Sequence, residues 1–196
     1  MKLLYTKRSP YARKVRIVTL EKKITMELLE EDLINKSDRL TTSNPLGKIP
    51  TLIFDHGETL CDSPVICAYL DNLKESPRLI PQDPKERLRV LHLEAIADGI
   101  MDASIAAYME KNRHPGDFHA PFIQTQEDSI HRALKYFDKH IAELKNLSLA
   151  SIAVACAMGY ANFRLPHLIK KESYPDLIKW YQEFSQRPSL LETRPG

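Results

Sequence analysis

Glycine is scarce in this sequence, and the six glycines among its 196 residues are scattered. No two lie within the few residues that a Walker loop or a G-x-G-x-x-G dinucleotide turn requires, so the sequence excludes both nucleotide-binding motifs. A surplus of positive charge is also missing, since 28 Lys and Arg stand against 26 Asp and Glu. Neutralising a polyanion takes a clear cationic excess. We therefore expect no nucleic acid partner.

Cysteine pairs, metal-ligand spacings and membrane-length apolar segments are missing as well. The three cysteines form no C-x-x-C motif, and an odd number at unrelated spacings is typical of reduced thiols. The seven histidines show no H-x-x-x-H or other ligand spacing, so we expect no metal. Lys7 and Arg8 interrupt the first apolar residues, which argues against an export signal. The sequence predicts a cytoplasmic protein with no membrane partner.

The first 75 residues alternate between short apolar runs and helical patterns. Strands are predicted for four apolar runs, the last two joined by a hairpin turn: 2–5, 24–30, 51–54 and 59–61. Helix starts are predicted at Ser9-Pro10 and Ser63-Pro64. The predicted order is β-α-β-α-β-β-α, which is a compact mixed α/β unit.

The second part of the chain has a different pattern. Pro77, Pro81 and Pro84 each block helix continuation and predict a linker at 76–84. From Lys85 onward the apolar positions follow helical spacing, with further helical patterns at 122–145, 149–163 and 174–186. We therefore predict an all-helical domain at 85–196.

Ser9 is the first candidate for chemistry. Ser9-Pro10 is typical of a helix start, with serine as the N-cap and proline at the first helical position. The first 20 residues also contain six basic side chains and no acidic one. An anion at this terminus would meet unpaired N–H groups, the positive end of the helix dipole and basic charge. The alternative is that Ser9 only caps the helix.

Two segments are more specific as a pair than either is alone: Asn44-Pro45-Leu46-Gly47-Lys48-Ile49-Pro50 and Asp62-Ser63-Pro64. They resemble the thioredoxin-like domain of cytosolic glutathione transferases, and Glu94-Ala95-x-x-Asp98-Gly99-x-x-Asp102 resembles the first helix of that family's second domain. The resemblance covers essentially the whole chain and is closest to bacterial glutathione-transferase-like proteins. It implies a thioredoxin-like βαβαββα domain at 1–75, a linker at 76–84, an all-helical domain at 85–196, and a homodimer.

The resemblance also implies which residues bind glutathione. Ile49 would precede a cis-proline and pair its backbone with the cysteinyl part of glutathione, as an added strand does. Asp62 and Ser63 would hold the γ-glutamyl end. Lys48 would bind the glycine carboxylate, with Lys36 as a second candidate. No cofactor beyond glutathione as co-substrate is implied.

Ser9 stands where the serine- and cysteine-type members of the family place the residue that faces the glutathione sulfur. Its hydroxyl would donate a hydrogen bond to the thiolate, which would then attack a small hydrophobic electrophile. Tyr5, near the end of the first strand, is the alternative thiolate-stabilising residue. Candidates for the wall of the second-substrate pocket, each with core packing as the alternative, are Tyr11, Ile105, Tyr108, Met109 and Phe163.

Ser151 departs from the family pattern, because an aspartate usually completes the capping box that here begins at Ser148. We expect a cap weaker by about 1 kcal/mol. Glu94, Asp98 and Asp102 are spaced i, i+4 and i+8, which is typical of an acidic face on one helix. The resemblance implies that this helix lines the dimer contact, and a solvated acidic face is the alternative.

Three functions are compatible with the sequence. The leading prediction is a glutathione transferase that activates the thiol of glutathione. One alternative is a non-enzymatic regulator that binds a protein partner such as RNA polymerase, as the stringent starvation proteins do with this fold. The other is a glutathione-dependent reductase that acts without a protein cysteine.

Overall fold

The computed structural model of the chain describes residues 1–113 and 116–195. The helices are α1 (Pro10–Glu21), α2 (Asp38–Ser43), α3 (Ser63–Asn72), α4 (Pro84–Arg113), α5 (Ala120–Lys139), α6 (Leu149–Arg164), α7 (Pro175–Phe184) and α8 (Pro188–Glu192). The strands are β1 (Lys2–Tyr5), β2 (Glu27–Glu30), β3 (Thr51–Ile53) and β4 (Thr59–Leu60). The described residues divide into two compact units, which we call the first unit (Met1–Ile80 with Pro188–Gly196) and the second unit (Pro81–Arg187).

The first unit contains a mixed sheet. In the described part of the chain, its four strands have the order β2-β1-β3-β4, with β1 parallel to β2 and antiparallel to β3. Both faces of the sheet are covered, because the neighbouring residues Leu3 and Leu4 of β1 point to opposite faces and are fully buried, as is Leu52 of β3. The predicted βαβαββα order is confirmed.

Helix α8 packs within the first unit, although the sequence grouped residues 188–196 with the helical domain. Arg13 Nη2 donates to the carbonyl of Leu190 at 3.2 Å, and Ser189 Oγ donates to Glu21 Oε1 at 2.6 Å. Both hydrogen bonds connect α8 to α1. The sequence could not indicate that α8 packs against α1, because the contacts join residues more than 160 positions apart.

A buried ion pair joins the C-terminal ends of α1 and α3. Lys22 Nζ donates to Asp71 Oδ1 at 2.9 Å, to the carbonyls of Asp71 and Pro77 at 2.8 and 2.7 Å, and to the carbonyl of Lys74. The two helices also pack against each other. Since their C-terminal ends meet, α1 and α3 run side by side in the same direction, and their N-terminal ends lie at the same end of the first unit.

The second unit is helical, and α6 is its central element. Nearly every residue of α6 from Leu149 to Ala161 is buried, and both α4 and α5 pack in this unit, α4 against α6 and α5 against α4. The helix begins with a reciprocal cap: the Ser151 amide donates to Ser148 Oγ at 3.2 Å, and the Ser148 amide donates to Ser151 Oγ at 2.9 Å. Serine at position 151 therefore still makes both bonds of the capping box.

Among the described residues, no helix combines the length and apolar character needed to cross a membrane.

Candidate functional site

The candidate residues of the first unit converge at one edge of its sheet. In the sheet register, the end of β1 lies beside the start of β3, and the start of β3 lies beside the end of β4. Ser9 follows β1, Lys48 and Ile49 precede β3, and Asp62 and Ser63 follow β4. Three segments that are distant in sequence therefore meet, and the N-terminal ends of α1 and α3 lie among them.

Ser9 is the N-cap of α1, as the sequence predicts. Its Oγ accepts a hydrogen bond from the Ala12 amide at 3.2 Å, and Pro10 occupies the first turn. A serine hydroxyl has one donor besides its acceptor lone pairs. Capping therefore uses only the acceptor side of Ser9, and the half-buried hydroxyl keeps its proton for an anion at the helix terminus.

Tyr5, the alternative to Ser9, is a core residue in this structure. It is 8% exposed, and the guanidinium of Arg16 stacks over its ring at 5.0 Å from the ring centroid. Burial lowers the pKa of Arg16 from its ordinary value. The position of Tyr5 beneath Arg16 is typical of a packing role and favours Ser9 as the residue that meets a substrate.

The turn before β3 is held by a polar side chain, Asn44, whose role the sequence did not reveal beyond a turn signal. Asn44 Nδ2 donates to the Lys48 carbonyl at 2.9 Å and to Thr51 Oγ1 at 3.1 Å, and Asn44 Oδ1 accepts from the Leu46 amide at 2.9 Å. Thr51 Oγ1 in turn donates to the Lys48 carbonyl at 2.8 Å. Asn44 is 1% exposed, so these bonds are shielded from water and fix the turn firmly.

The backbone of Ile49 lies at the end of this turn. The Ile49–Pro50 peptide bond is cis, as the resemblance implied. Within residues 1–113 and 116–195, the amide and carbonyl of Ile49 have no hydrogen-bond partner. An extended peptide could therefore pair with Ile49 as an added strand.

Lys48 and Lys36 both lie at the turn before β3. Lys48 is exposed at the turn itself. Gly47 has φ +57, and a Cβ at that position would lie 3.1 Å from Lys36 Nζ. The ammonium of Lys36 therefore lies over Gly47, next to Lys48 in the sequence. Both candidates for binding a carboxylate therefore belong to the same turn.

Asp62 and Ser63 begin α3. The carboxylate of Asp62, the N-cap, accepts a hydrogen bond from the Ser63 amide, and the Asp62 side chain is otherwise exposed. Ser63 is fully buried, and its Oγ has no hydrogen-bond partner among the described residues. A buried hydroxyl without a partner costs free energy, so this position favours a ligand that supplies one.

The residues expected to form the wall of a second-substrate pocket are not core residues. Tyr11, Ile105 and Tyr108 are half-buried, and Met109 and Phe163 are 55% and 38% exposed. The alternative of core packing is therefore wrong for Met109 and Phe163.

The acidic side chains of α4 differ from the expected solvated face. Glu94 is only 3% exposed, Asp98 is half-buried and Asp102 is exposed. Burial of the first carboxylate rules out a uniformly solvated stripe. In the described part of the chain, no group of three or more His, Cys, Asp or Glu side chains is arranged to hold a metal ion.

Comparison with known proteins places the chain in a family. Residues 8–73 match the N-terminal domain of glutathione S-transferases, and residues 96–188 match the C-terminal domain. Over its whole length the chain is 37% identical to an uncharacterized GST-like protein of Escherichia coli K12, YibF, and the match covers 98% of that protein. The chain belongs to the glutathione S-transferase family.

Solved structures of glutathione transferases agree with this assignment. A family member from Pseudomonas fluorescens Pf-5, crystallised with glutathione, is 42% identical, with a TM-score of 0.95 over 100% of this chain and 98% of that one. A glutathione S-transferase from Methylobacillus flagellatus KT, solved with GSH bound, is 41% identical, with a TM-score of 0.94 over 100% and 99%. The thioredoxin-like sheet with helices and the all-helical second domain are therefore those of the family.

Proposed function

We propose that this protein is a glutathione transferase of the serine type, which binds glutathione at the sheet edge of the first unit and activates its thiol. The observation that carries the proposal is the meeting of two helix N-termini, those of α1 and α3, beside the turn that ends at Ile49. Helix N-termini attract anions, and glutathione carries two carboxylates and an ionisable thiol. Glutathione in two relatives that are more than 40% identical supports the same ligand here.

The proposal gives each part of glutathione a partner. The γ-glutamyl carboxylate accepts from Ser63 and the N-terminal amides of α3, and its ammonium pairs with the Asp62 carboxylate. The cysteinyl backbone pairs with the amide and carbonyl of Ile49. The glycine carboxylate lies at Lys48, with Lys36 beside it.

Ser9 acts on the sulfur. A thiol with a pKa of about 8.5 is mostly protonated at neutral pH, and each unit of lowering takes about 1.4 kcal/mol of thiolate stabilisation. A hydrogen bond from Ser9 and the N-terminus of α1 supply stabilisation of that size. The thiol proton leaves to solvent, and the thiolate forms a bond to an electrophilic carbon. In a substitution the leaving group departs with its electron pair.

No feature of the site supports the alternative of a regulator that binds RNA polymerase. The homodimer and the cytoplasmic location stay predictions.

The test is conjugation of reduced glutathione to 1-chloro-2,4-dinitrobenzene, measured by absorbance and by the mass of the product. We expect a rate above the protein-free reaction that saturates in glutathione. A parallel assay with hydroxyethyl disulfide separates conjugation from reduction. Catalysis of the disulfide reaction alone would replace the transferase by the reductase, and catalysis of neither would overturn both.

A further inference from the structure

An arginine in the second unit, Arg164, lies over two aromatic rings and has no role in the proposed glutathione site. The Arg164 guanidinium carbon lies 4.3 Å from the ring centroid of Tyr108 and 4.3 Å from that of Phe163, and Tyr160 is 6.0 Å away. Arg164 Nη1 donates to the hydroxyl of Tyr108 at 3.0 Å. We call this arrangement the arginine clamp. Rings that cover the faces of a guanidinium leave its edges for hydrogen bonding.

The clamp has an unsatisfied charge. Among the described residues, Arg164 makes no ion pair, and its Nε is buried without a hydrogen-bond partner. Other arginines, such as Arg39 and Arg89, pair with the carboxylates of Glu31 and Glu143. A guanidinium with an unpartnered N–H and no paired carboxylate is costly, so a negatively charged ligand on this guanidinium would be favoured.

A purely structural role of Arg164 explains neither its ring contacts nor its unpartnered Nε. Arg164 lies in the last turn of α6, where a cation interacts favourably with the helix dipole. That interaction needs no aromatic rings, and it leaves Nε without a partner. Ring contacts that fix the plane of the guanidinium are typical of bidentate recognition of a planar oxyanion.

The residues in and next to the arginine clamp indicate which kind of ligand bears the oxyanion. Phe163 of the clamp is 38% exposed, and Met109, which follows Tyr108 in the sequence, is 55% exposed, so accessible apolar side chains occur in the clamp and next to it in the sequence. A free phosphate would gain little from such neighbours. A carboxylate on a small aromatic or apolar body would use both the charge and the apolar surface.

We propose that Arg164 binds the carboxylate of the second substrate, so that the electrophiles which this protein prefers carry a carboxylate on a small apolar or aromatic body. This inference rests on the proposed function, because the resemblance assigns Tyr108 and Phe163 to the second-substrate pocket. The carboxylate is held by the edge of the guanidinium, and the plane of that guanidinium is fixed by Tyr108. Arg164 sets specificity and takes no part in activating the thiol.

Calorimetric titration of the purified protein with 3-nitrobenzoate, and with its uncharged methyl ester, tests the clamp without turnover. We expect the acid to bind more tightly than the ester, and Arg164→Met to weaken binding of the acid by roughly 10- to 100-fold, the range for a charge-assisted hydrogen-bond pair. Arg164→Lys keeps the positive charge but loses the paired N–H groups of the guanidinium edge. Its affinity for the acid should lie between those of wild type and Arg164→Met. Binding of the ester should change less than about threefold.

Arg187→Met is the matched control, because Arg187 also lies over an aromatic ring of the second unit, that of Phe184 at 5.6 Å. It should leave binding of the acid unchanged. Equal affinity of wild type and both Arg164 variants for 3-nitrobenzoate, or no binding at several millimolar, would overturn the assignment.

Turnover of 4-chloro-3-nitrobenzoate with reduced glutathione, compared with that of its methyl ester, separates this inference from the proposed function. Arg164→Met should lower kcat/KM for the acid selectively. Arg164-dependent binding of 3-nitrobenzoate without conjugation of either compound or of 1-chloro-2,4-dinitrobenzene would keep the clamp and contradict the transferase. Conjugation with no preference for the acid would contradict the clamp and keep the transferase.

Discussion

Ser9→Ala should lower kcat for glutathione conjugation by roughly 10- to 1000-fold, the range for loss of one preorganised donor to a developing anion. The Kd for glutathione should stay within about threefold of wild type, because a donor that acts on the thiolate contributes little while the thiol is protonated. The pH profile of kcat at saturating glutathione should also move to higher pH, since a bound thiolate without this hydrogen bond forms less readily. Steady-state kinetics between pH 6 and 9 measure kcat and its pH profile, and calorimetric titration measures the Kd for glutathione.

Loss of the helix cap is the competing explanation, because Ser9 Oγ also accepts from the Ala12 amide. Glycine is nearly as good an N-cap as serine, whereas alanine costs about 1 kcal/mol. Ser9→Gly should therefore reproduce the kinetic loss of Ser9→Ala with little loss of stability. Turnover retained in both variants and lost in Tyr5→Phe would move the role to Tyr5.

Lys22→Met should lower the free energy of unfolding by about 3 to 5 kcal/mol, the cost of leaving one partner of a buried ion pair alone. Lys22 is 1% exposed and bonds to the Asp71 carboxylate, which also accepts from the amides of Leu79 and Ile80 at 2.9 and 3.0 Å. Methionine fills a similar volume but leaves the Asp71 carboxylate with only the longer contact to Arg78 Nη1, at 3.9 Å, as counter-charge. Urea unfolding followed by circular dichroism measures the change.

The exposed pair of Lys2 with Glu27, 3.6 Å apart, provides the matched control. Lys2→Met removes the same charge at the surface and should change stability by less than about 1 kcal/mol. A Lys22→Met variant as stable as Lys2→Met would contradict the buried pair as a main contact between α1 and α3. The double variant Lys22→Met with Asp71→Asn should lose less than the sum of the single changes, because no unpaired charge remains.

Periodicity and caps were enough to predict the strands and most helices. Ser9 and Ser63 mark helix starts by their position before proline, and the hairpin around Gly57 has a turn signature. Such signals depend on residues a few positions apart. This is why the segments of the candidate site, and their expected order along the chain, were accessible from the sequence.

Contacts between distant residues were not accessible in this way. Nothing in the sequence marks Lys22 as buried or pairs it with Asp71, 49 positions away. The arginine clamp likewise needs α4 and α6 side by side before Arg164 and Tyr108 can meet. Charged residues are usually exposed. Buried ones such as Lys22 can therefore be recognised only from the folded structure.

The most direct test of the glutathione site is calorimetric titration of the purified protein with reduced glutathione, on wild type, Asp62→Ala and Ser63→Ala. Asp83→Ala is the matched control, because Asp83 Oδ1 accepts from the amides at the start of α4, outside the site. We expect saturable binding to wild type and Asp83→Ala with a Kd in the micromolar to low millimolar range, and binding at least about tenfold weaker in the other two variants. Absence of binding to wild type at several millimolar, or equal affinity in all four proteins, would contradict the site.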